Sequence, residues 1–138
     1  MEIRKIKKSE WEKLRAFNVA EYSPKHILTD KAYYDWQFDN FANEDRDFYS
    51  TLGFFGKNGE VLGTFGRFSA PYSFFGKKVD GNCLCNLMIK KDLRGLGFGF
   101  LLLSEASKLG DVVVDHAVNE SAWPVFMKAG FEGEDMKR

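Results

Sequence analysis

A glycine-rich segment between an apolar strand and an amphipathic helix constrains the fold of this chain more than any other feature. Glycines 95, 97 and 99 follow a strand-forming stretch at residues 80–90 and lead into FGFLLLSEASKLG, which begins at Phe98. This helix pattern is expected to bury Leu102, Ala106 and Leu109. The continuous Val run within residues 111–116 then predicts a buried strand. Such a strand–loop–helix–strand unit, at residues 84–114, predicts a right-handed parallel crossover.

The N-terminal half predicts one strand, two helices and a hairpin. Residues 2–7 indicate a first strand, and Ser9 is expected to cap a helix carrying Trp11, Leu14 and Phe17. A second helix is expected after Thr29 or Asp30, with Tyr34, Phe38 and Phe41 on one face. Asn58-Gly59 favours a tight turn that pairs residues 48–56 with 60–68.

Two further elements complete the pattern. A turn or short edge segment is expected at residues 74–78, before the strand at 80–90. A last helix is expected to be capped by Asn119 or Ser121, to tolerate Pro124 in its first turn and to end at Gly130. The fold class is therefore α/β (α+β), with a mixed, mostly antiparallel sheet and helices on both faces.

Composition limits the function classes. A chain of 138 residues is expected to form one domain, 1–138, and 44% apolar residues are typical of a globular protein. The 20 basic and 20 acidic residues balance, which argues against nucleic acid or membrane partners. No signal sequence or membrane-spanning run is recognisable, so we expect a cytoplasmic protein. Cys83 and Cys85 would share one face of a strand, and two thiols are too few for a metal site.

The glycine loop is suited to a phosphate. Glycine allows tight turns with outward amides, the following helix N-terminus adds unpaired N–H groups, and Arg94 offers a cation. The dinucleotide pattern G-x-G-x-x-G fails because its next glycine position is Phe100, and the Gly-Lys-Ser/Thr of a P-loop is missing. What remains is R-x-x-G-x-G at Arg94, Gly97 and Gly99, with a plain glycine-rich turn as the alternative.

A second segment narrows the interpretation. Residues 119–131 read N-x-x-A-x-x-x-F-x-K-x-G-F. Together with the R-x-x-G-x-G loop and the order of elements, this segment resembles the GNAT superfamily of N-acetyltransferases. The resemblance spans most of the chain and implies the acyl-CoA N-acyltransferase fold, here expected to lack the last strand.

The resemblance implies a binding site for acetyl-CoA. The loop amides of Leu96, Gly97, Phe98 and Gly99 would hold the pyrophosphate, with Arg94 and Gly95 beside them. The backbone of Leu87, Met88 and Ile89 would pair with pantetheine and polarise the thioester. Asn119, which is equally suited to capping a helix, would contact pantetheine, and Phe126 would lie near the thioester.

The sequence departs from the family pattern at three points. Phe126 stands where the family usually has a tyrosine acid, and phenylalanine has no proton to give. The strand before the loop lacks a glutamate, which leaves His116, Asp80 and Glu21 as candidate catalytic groups. Only EGEDMKR follows Phe131, so the chain is expected to be a portion of a longer protein or to gain a strand from a second copy or an additional C-terminal domain.

Three functions follow from these expectations. The first is transfer of an acetyl group from acetyl-CoA to a primary amine of a small molecule, by direct attack in a ternary complex. Aromatic residues 33–41 and the segment 70–78 would shape the acceptor site, although most of these aromatics are equally suited to a core. The second is a non-catalytic CoA-binding or docking module of a larger enzyme. The third is binding of another nucleotide.

Overall fold

A computed structural model describes residues 1–39 and 45–134 of the chain. Three short 3₁₀ turns, at Lys8–Glu10, Ile27–Thr29 and Lys91–Leu93, join or extend the regular elements. The strands and helices, in chain order, are β1 Glu2–Lys7, α1 Trp11–Glu21, α2 Lys31–Phe38, β2 Phe48–Phe55, β3 Val61–Phe74, β4 Lys77–Ile89, α3 Phe98–Ala106, β5 Val112–Asp115 and α4 Trp123–Lys128.

The five strands form one mixed sheet in the order β1-β2-β3-β4-β5. The first four pair antiparallel, and β4 pairs parallel with β5. The predicted crossover through α3 is therefore confirmed, as is the predicted hairpin, whose turn contains Gly59 in the left-handed region at φ +74°. Through Glu134, no strand follows α4 in the described part of the chain.

Helices cover both faces of the sheet, because side chains alternate along the central strands. On one face, Leu14 of α1 and Phe38 of α2 form a buried cluster with Tyr49 of β2. On the other face, Leu102 of α3 and Phe126 of α4 are buried with strand residues. The aromatic-rich composition thus serves mainly to fill two cores, one on each side of a single sheet.

The β3–β4 hairpin extends far beyond its neighbours. In the structure, both strands of this hairpin are longer at the turn than predicted. The strand predicted at 60–68 continues to Phe74, and the strand predicted at 80–90 already starts at Lys77. Pairing with β5 covers only residues 81–84 of β4, so the arm projects from the sheet. Its turn, which the sequence predicted, carries Phe74 and Phe75 with 53% and 93% of their surface exposed.

Some element ends differ from the sequence expectation. Ser9 lies inside a 3₁₀ turn rather than capping α1, and the Glu10 carboxylate accepts a hydrogen bond from the Lys7 amide at 3.0 Å. The second helix starts directly after Asp30, as predicted, and Asp30 caps it, because its Oδ1 accepts from the Tyr33 amide at 2.9 Å. Phe41, predicted to continue that helix, lies outside the described residues. None of the helices described is long and apolar enough to cross a bilayer.

Candidate functional site

The strand β4 separates from β5 at the middle of its length. Their last pair is Leu84 with Asp115, and beyond it the described residues place no strand beside the β5-facing edge of β4. Next to this point β4 has a bulge, in which Asn86 and Leu87 together lie opposite the single residue Phe65 of β3. Asn86 adopts a φ of +54° there. The backbone of Leu87, Met88 and Ile89 is therefore left at an open edge, where an extended ligand with amide groups can pair with it.

The glycine loop leads from this edge into α3. Gly95 and Gly97 adopt φ values of +81° and +88°, which side-chain-bearing residues rarely adopt, and a Cβ on either would meet no atom within 4 Å. In the described chain the amides of Gly97, Phe98, Gly99 and Phe100 have no hydrogen-bond acceptor. The Phe98 ring stacks on Phe54 at 5.0 Å and so anchors this helix end to the sheet.

One predicted amide is used differently. The Leu96 N–H points back to the Leu93 carbonyl at 3.4 Å, so the unpaired amides begin one residue later than the resemblance implied. Four consecutive unpaired N–H groups at the start of a nine-residue helix favour an anion. These donors could hold a phosphate group, and the β4 edge beside them could pair with the amides of an extended ligand.

Arg94 is engaged by protein groups. Its Nε donates to the Ile89 carbonyl at 2.8 Å, and its Nη2 donates to Glu21 Oε2 at 2.8 Å. The same Glu21 oxygen accepts from the Lys91 amide at 3.0 Å. The structure therefore brings two predicted site residues, Arg94 and Glu21, together as an ion pair at the base of the loop.

The other two candidate catalytic groups lie elsewhere. Asp80 is exposed on β4, four residues before the last pair with β5 at Leu84, and its backbone exchanges hydrogen bonds with Asp111, just before β5. His116 is exposed immediately after β5. The structure thus distributes Glu21, Asp80 and His116 over three places rather than one.

Two residues of the second motif have structural contacts. Asn119 Oδ1 accepts from the Ala122 amide and the Ser121 hydroxyl, each at 2.8 Å, so it orders the turn before α4. Phe126 is only 2% exposed and packs edge-on against Phe65 and Phe131. Neither Asn119 nor Ser121 caps α4 as predicted, because the helix begins at Trp123 after Ala122 and has no side-chain cap. Asn119 instead stabilises the preceding turn, and Phe126 lies in the core.

Asp115 is a candidate that the sequence reasoning missed. It ends β5 opposite Leu84, where the strands part, and its Oδ1 accepts from the Ala117 amide at 2.9 Å. Burial raises the pKa of this carboxyl above its ordinary value of 3.8. The Val run, predicted as a buried strand, is half-buried in the structure. An acidic residue at its carboxyl end was the available signal, because strand ends meet at the edge where ligands bind.

Several partly buried side chains pack against the core on the face of α1 and α2; they are Tyr22, Tyr33, Phe68, Cys85 and Met88. The Tyr22 ring stacks on His26 at 4.3 Å. Burial raises the pKa of Tyr22 to about 12 and that of the free thiol of Cys85 also to about 12, so both groups are protonated near neutral pH. This face is apolar and aromatic, with weak proton donors.

The aromatic residues predicted to shape an acceptor site divide into two groups. Tyr34 and Phe38 are 3% and 1% exposed and belong to the core, whereas Trp36 is 75% exposed. An open cleft of about 410 Å³ also lies between α1 and the β2–β3 turn, and its lining includes Glu21 and Lys90. This cleft adjoins the base of the loop but does not include the open edge of β4. Within the described residues, no cluster of His, Cys, Asp and Glu could hold a metal ion.

The sequence and the structure were compared with known proteins. No family model and no curated protein matches the sequence. Among solved structures, the chain is similar to a ribosomal-protein-alanine N-acetyltransferase from Brucella melitensis biovar Abortus 2308, at 14% identity and a TM-score of 0.71, over 100% of this chain and 96% of that one. An aminoglycoside acetyltransferase from an uncultured soil metagenomic sample matches at 16% identity and a TM-score of 0.69, over 99% and 95%.

A GNAT family N-acetyltransferase from Escherichia coli, solved in complex with CoA, matches at 18% identity and a TM-score of 0.65, over 95% of this chain and 68% of that one. Likenesses at this identity concern the fold, and they extend over almost the whole of this chain. The chain has the fold of the GNAT acetyltransferases.

Proposed function

We propose that this chain is an acyl-CoA-dependent N-acyltransferase that transfers an acetyl group from acetyl-CoA to a primary amine of a small molecule. The observation that carries the proposal is the continuity between the open β4 edge and the unpaired amides of the glycine loop. Pantetheine presents amides to a strand edge, and the pyrophosphate presents anionic oxygens to N–H donors. The CoA-bound GNAT structure supports this assignment through the shared fold.

In this proposal the amides of Gly97, Phe98, Gly99 and Phe100 bind the pyrophosphate. The backbone of Leu87, Met88 and Ile89 orients the pantetheine arm, and an amide of this edge polarises the thioester carbonyl. When bound, acetyl-CoA supplies an activated acetyl group that an amine can attack directly. The acceptor must then be held beside the open edge at the same time.

Asp115 is our candidate for taking the proton from the amine, because it is half-buried at the point where β4 and β5 part. Its raised pKa makes it a better base than an ordinary aspartate. His116 follows it directly in the chain and remains a second candidate. Glu21 is already engaged by Arg94 and Lys91, and Asp80 lies below the separation point, so we rank both lower.

The acceptor would approach on the face of α1 and α2, where Tyr22, Phe68 and Cys85 are partly exposed. We infer an amine of the amino sugar or amino acid type, since the Tyr22 hydroxyl and the Cys85 thiol are hydrogen-bond donors on this otherwise apolar side. We also propose a cytoplasmic location. A second copy or a C-terminal domain would cover the edge of β5 that is open in the described residues.

Calorimetric titration with CoA and acetyl-CoA tests the cofactor assignment. We expect binding that is lost, by about tenfold or more, in Gly97→Val, because a β-branched residue at a φ of +88° must distort the loop. Gly76→Val is the matched control, since Gly76 has a φ of +76° in the remote β3–β4 turn. Absence of wild-type binding, or tighter binding of ATP or NAD than of CoA, would contradict the proposal.

Thiol release from acetyl-CoA across a panel of amino sugars, amino acids and peptides tests the transfer. The alternative is a non-catalytic CoA-binding module, which the buried position of Phe126 favours because no hydroxyl is available there. Turnover with any acceptor excludes the alternative. CoA binding without turnover across the panel would favour it.

A further inference from the structure

The start of the glycine loop is held by a residue from a distant part of the sequence. Glu21 is the last residue of α1, and its side chain is only 8% exposed. One of its carboxylate oxygens accepts from the Lys91 amide at 3.0 Å and from Arg94 Nη2 at 2.8 Å. The 3₁₀ turn that opens the loop is thereby fixed to the end of α1.

Arg94 closes this arrangement on the strand side. Its Nε donates to the Ile89 carbonyl at 2.8 Å, and its Nη2 lies 3.3 Å from the Met88 sulfur. The guanidinium thus joins the last residue of β4 to the last residue of α1. We call the Glu21–Arg94 pair, with its bonds to the Lys91 amide and the Ile89 carbonyl, the loop clamp.

We propose that Glu21 and Arg94 are positioning residues that hold the loop in its phosphate-binding shape, and that neither acts as the base or as the principal phosphate ligand. The inference rests on the proposed function. A short loop with left-handed glycines at 95 and 97 has many accessible conformations when free. The clamp fixes the first turn of the loop, and the Phe98 ring fixes its other end on Phe54. Few loop conformations remain, so the amides are already arranged before a ligand arrives.

The clamp also connects the two halves of the site. Tyr22 follows Glu21 directly and stacks on His26, five residues after Glu21, on the acceptor face. Because Glu21 binds the loop, this pair keeps a fixed position relative to the cofactor loop. Loosening the clamp is therefore expected to disturb both the cofactor and the acceptor side.

The sign of one substitution separates the clamp from a simple charge effect. A carboxylate near an anionic cofactor repels it, so removing the charge of Glu21 alone would strengthen CoA binding. Removing a clamp would weaken binding, because the loop amides would no longer be arranged in advance. Glu21→Gln keeps the side-chain size and one accepting oxygen, but it removes the charge and replaces charge-assisted hydrogen bonds by weaker neutral ones. The direction of the change in CoA affinity therefore distinguishes a loosened clamp from relief of charge repulsion.

The experiment measures CoA affinity by calorimetry for the wild type, Glu21→Gln, Arg94→Ala and the double variant. We expect about a tenfold loss for each single variant, typical of losing a charge-assisted hydrogen bond, and no further loss in the double variant. Arg94→Lys, which keeps the charge but not the fork of donors, should also lose affinity. Glu10→Gln is the matched control: it breaks the Arg4–Glu10 pair next to the start of α1, far from the loop, and should leave CoA affinity unchanged.

Amide hydrogen exchange at Lys91 in the cofactor-free protein gives a second readout. Exchange should quicken in Glu21→Gln while the Tm changes little, which a general loss of stability would not produce. Equal or tighter CoA binding by Glu21→Gln, or additive losses in the double variant, would overturn the clamp while leaving the proposed function in place. Wild-type protein that binds no CoA would overturn both, whatever the exchange rates show.

Discussion

The half-buried carboxylate of Asp115 lowers the stability of the folded protein when it is ionised. Its carboxyl lies at the end of β5, half-buried, and receives one hydrogen bond, from the Ala117 amide. Burial disfavours the ionised form and raises the pKa of the carboxyl in the folded protein. Because this pKa exceeds the unfolded value, the folded state loses stability as the pH rises through that range.

We therefore expect Asp115→Asn to raise the Tm at pH 7. Asparagine keeps the oxygen that accepts from Ala117 and removes the desolvated charge. The gain should vanish near pH 3, below the ordinary aspartate pKa of about 3.9, where both proteins are neutral at this position. Thermal unfolding at the two pH values checks this, and a Tm lowered at pH 7 would contradict it. If Asp115 is the base, the same variant should lose turnover while retaining CoA binding.

At the scale of elements, the start of α2 depends on one side chain. Asp30 Oδ1 accepts from the Tyr33 amide at 2.9 Å, which satisfies one of the unpaired N–H groups of the helix start. This short helix supplies Tyr34 and Phe38 to the core beneath the acceptor face. Its N-terminal cap thus supports a wall of the candidate site.

Asp30→Ala should lower the free energy of unfolding by about 1 kcal/mol, as is typical for loss of an aspartate cap. Asp30→Asn, which keeps the accepting oxygen, should cost only a few tenths of that amount. Urea denaturation of the three proteins measures the difference. Equal destabilisation by alanine and asparagine would show that the cap bond is not the cause.

The sequence predicted those elements whose signals are local. The Asn58-Gly59 turn, the start of α2 after Asp30 and the strand–loop–helix–strand crossover each depend on residues close together in the chain, and each is confirmed. The β3–β4 arm was underestimated, because Pro71 interrupts the strand pattern although it lies opposite Asp80 in the hairpin. Propensity does not reveal how far a hairpin projects beyond its sheet.

The candidate site was predictable only in part, because several of its contacts join residues that are far apart in the sequence. The position of the glycine loop follows from its neighbours in sequence, but the contacts of Arg94 do not, since its partner Glu21 lies 73 residues away. The bulge at Asn86 depends on the register with β3, and the exposure of the β4 edge depends on where β5 ends. These features are set by tertiary pairing, which a pattern along one segment does not contain.

At the scale of the whole molecule, one sheet separates two buried clusters. Leu14 of α1 and Leu102 of α3 are both fully buried, on opposite faces. Because the same strands contribute side chains to both clusters, neither helical layer has a sheet of its own. The two layers are therefore expected to unfold together.

Leu14→Ala and Leu102→Ala should each lower the free energy of unfolding by about 3 kcal/mol, a usual cost for a buried leucine. Each variant should keep a single transition that coincides when followed by far-ultraviolet circular dichroism and by tryptophan fluorescence. Trp11 and Trp36 report on one layer and Trp123 on the other. Two separated transitions in either variant would show that the layers are independent.

The order of the strands has a consequence for synthesis on the ribosome. Each strand pairs with its predecessor in the chain, so the sheet can grow by addition as the polypeptide leaves the exit tunnel. Glu21, however, is translated 70 residues before Lys91. At about 5–20 residues per second, its carboxylate waits roughly 4–14 s, hydrated, for the amide that it finally binds. The loop that binds phosphate in our proposal therefore takes its shape late in translation, after the first four strands are in place.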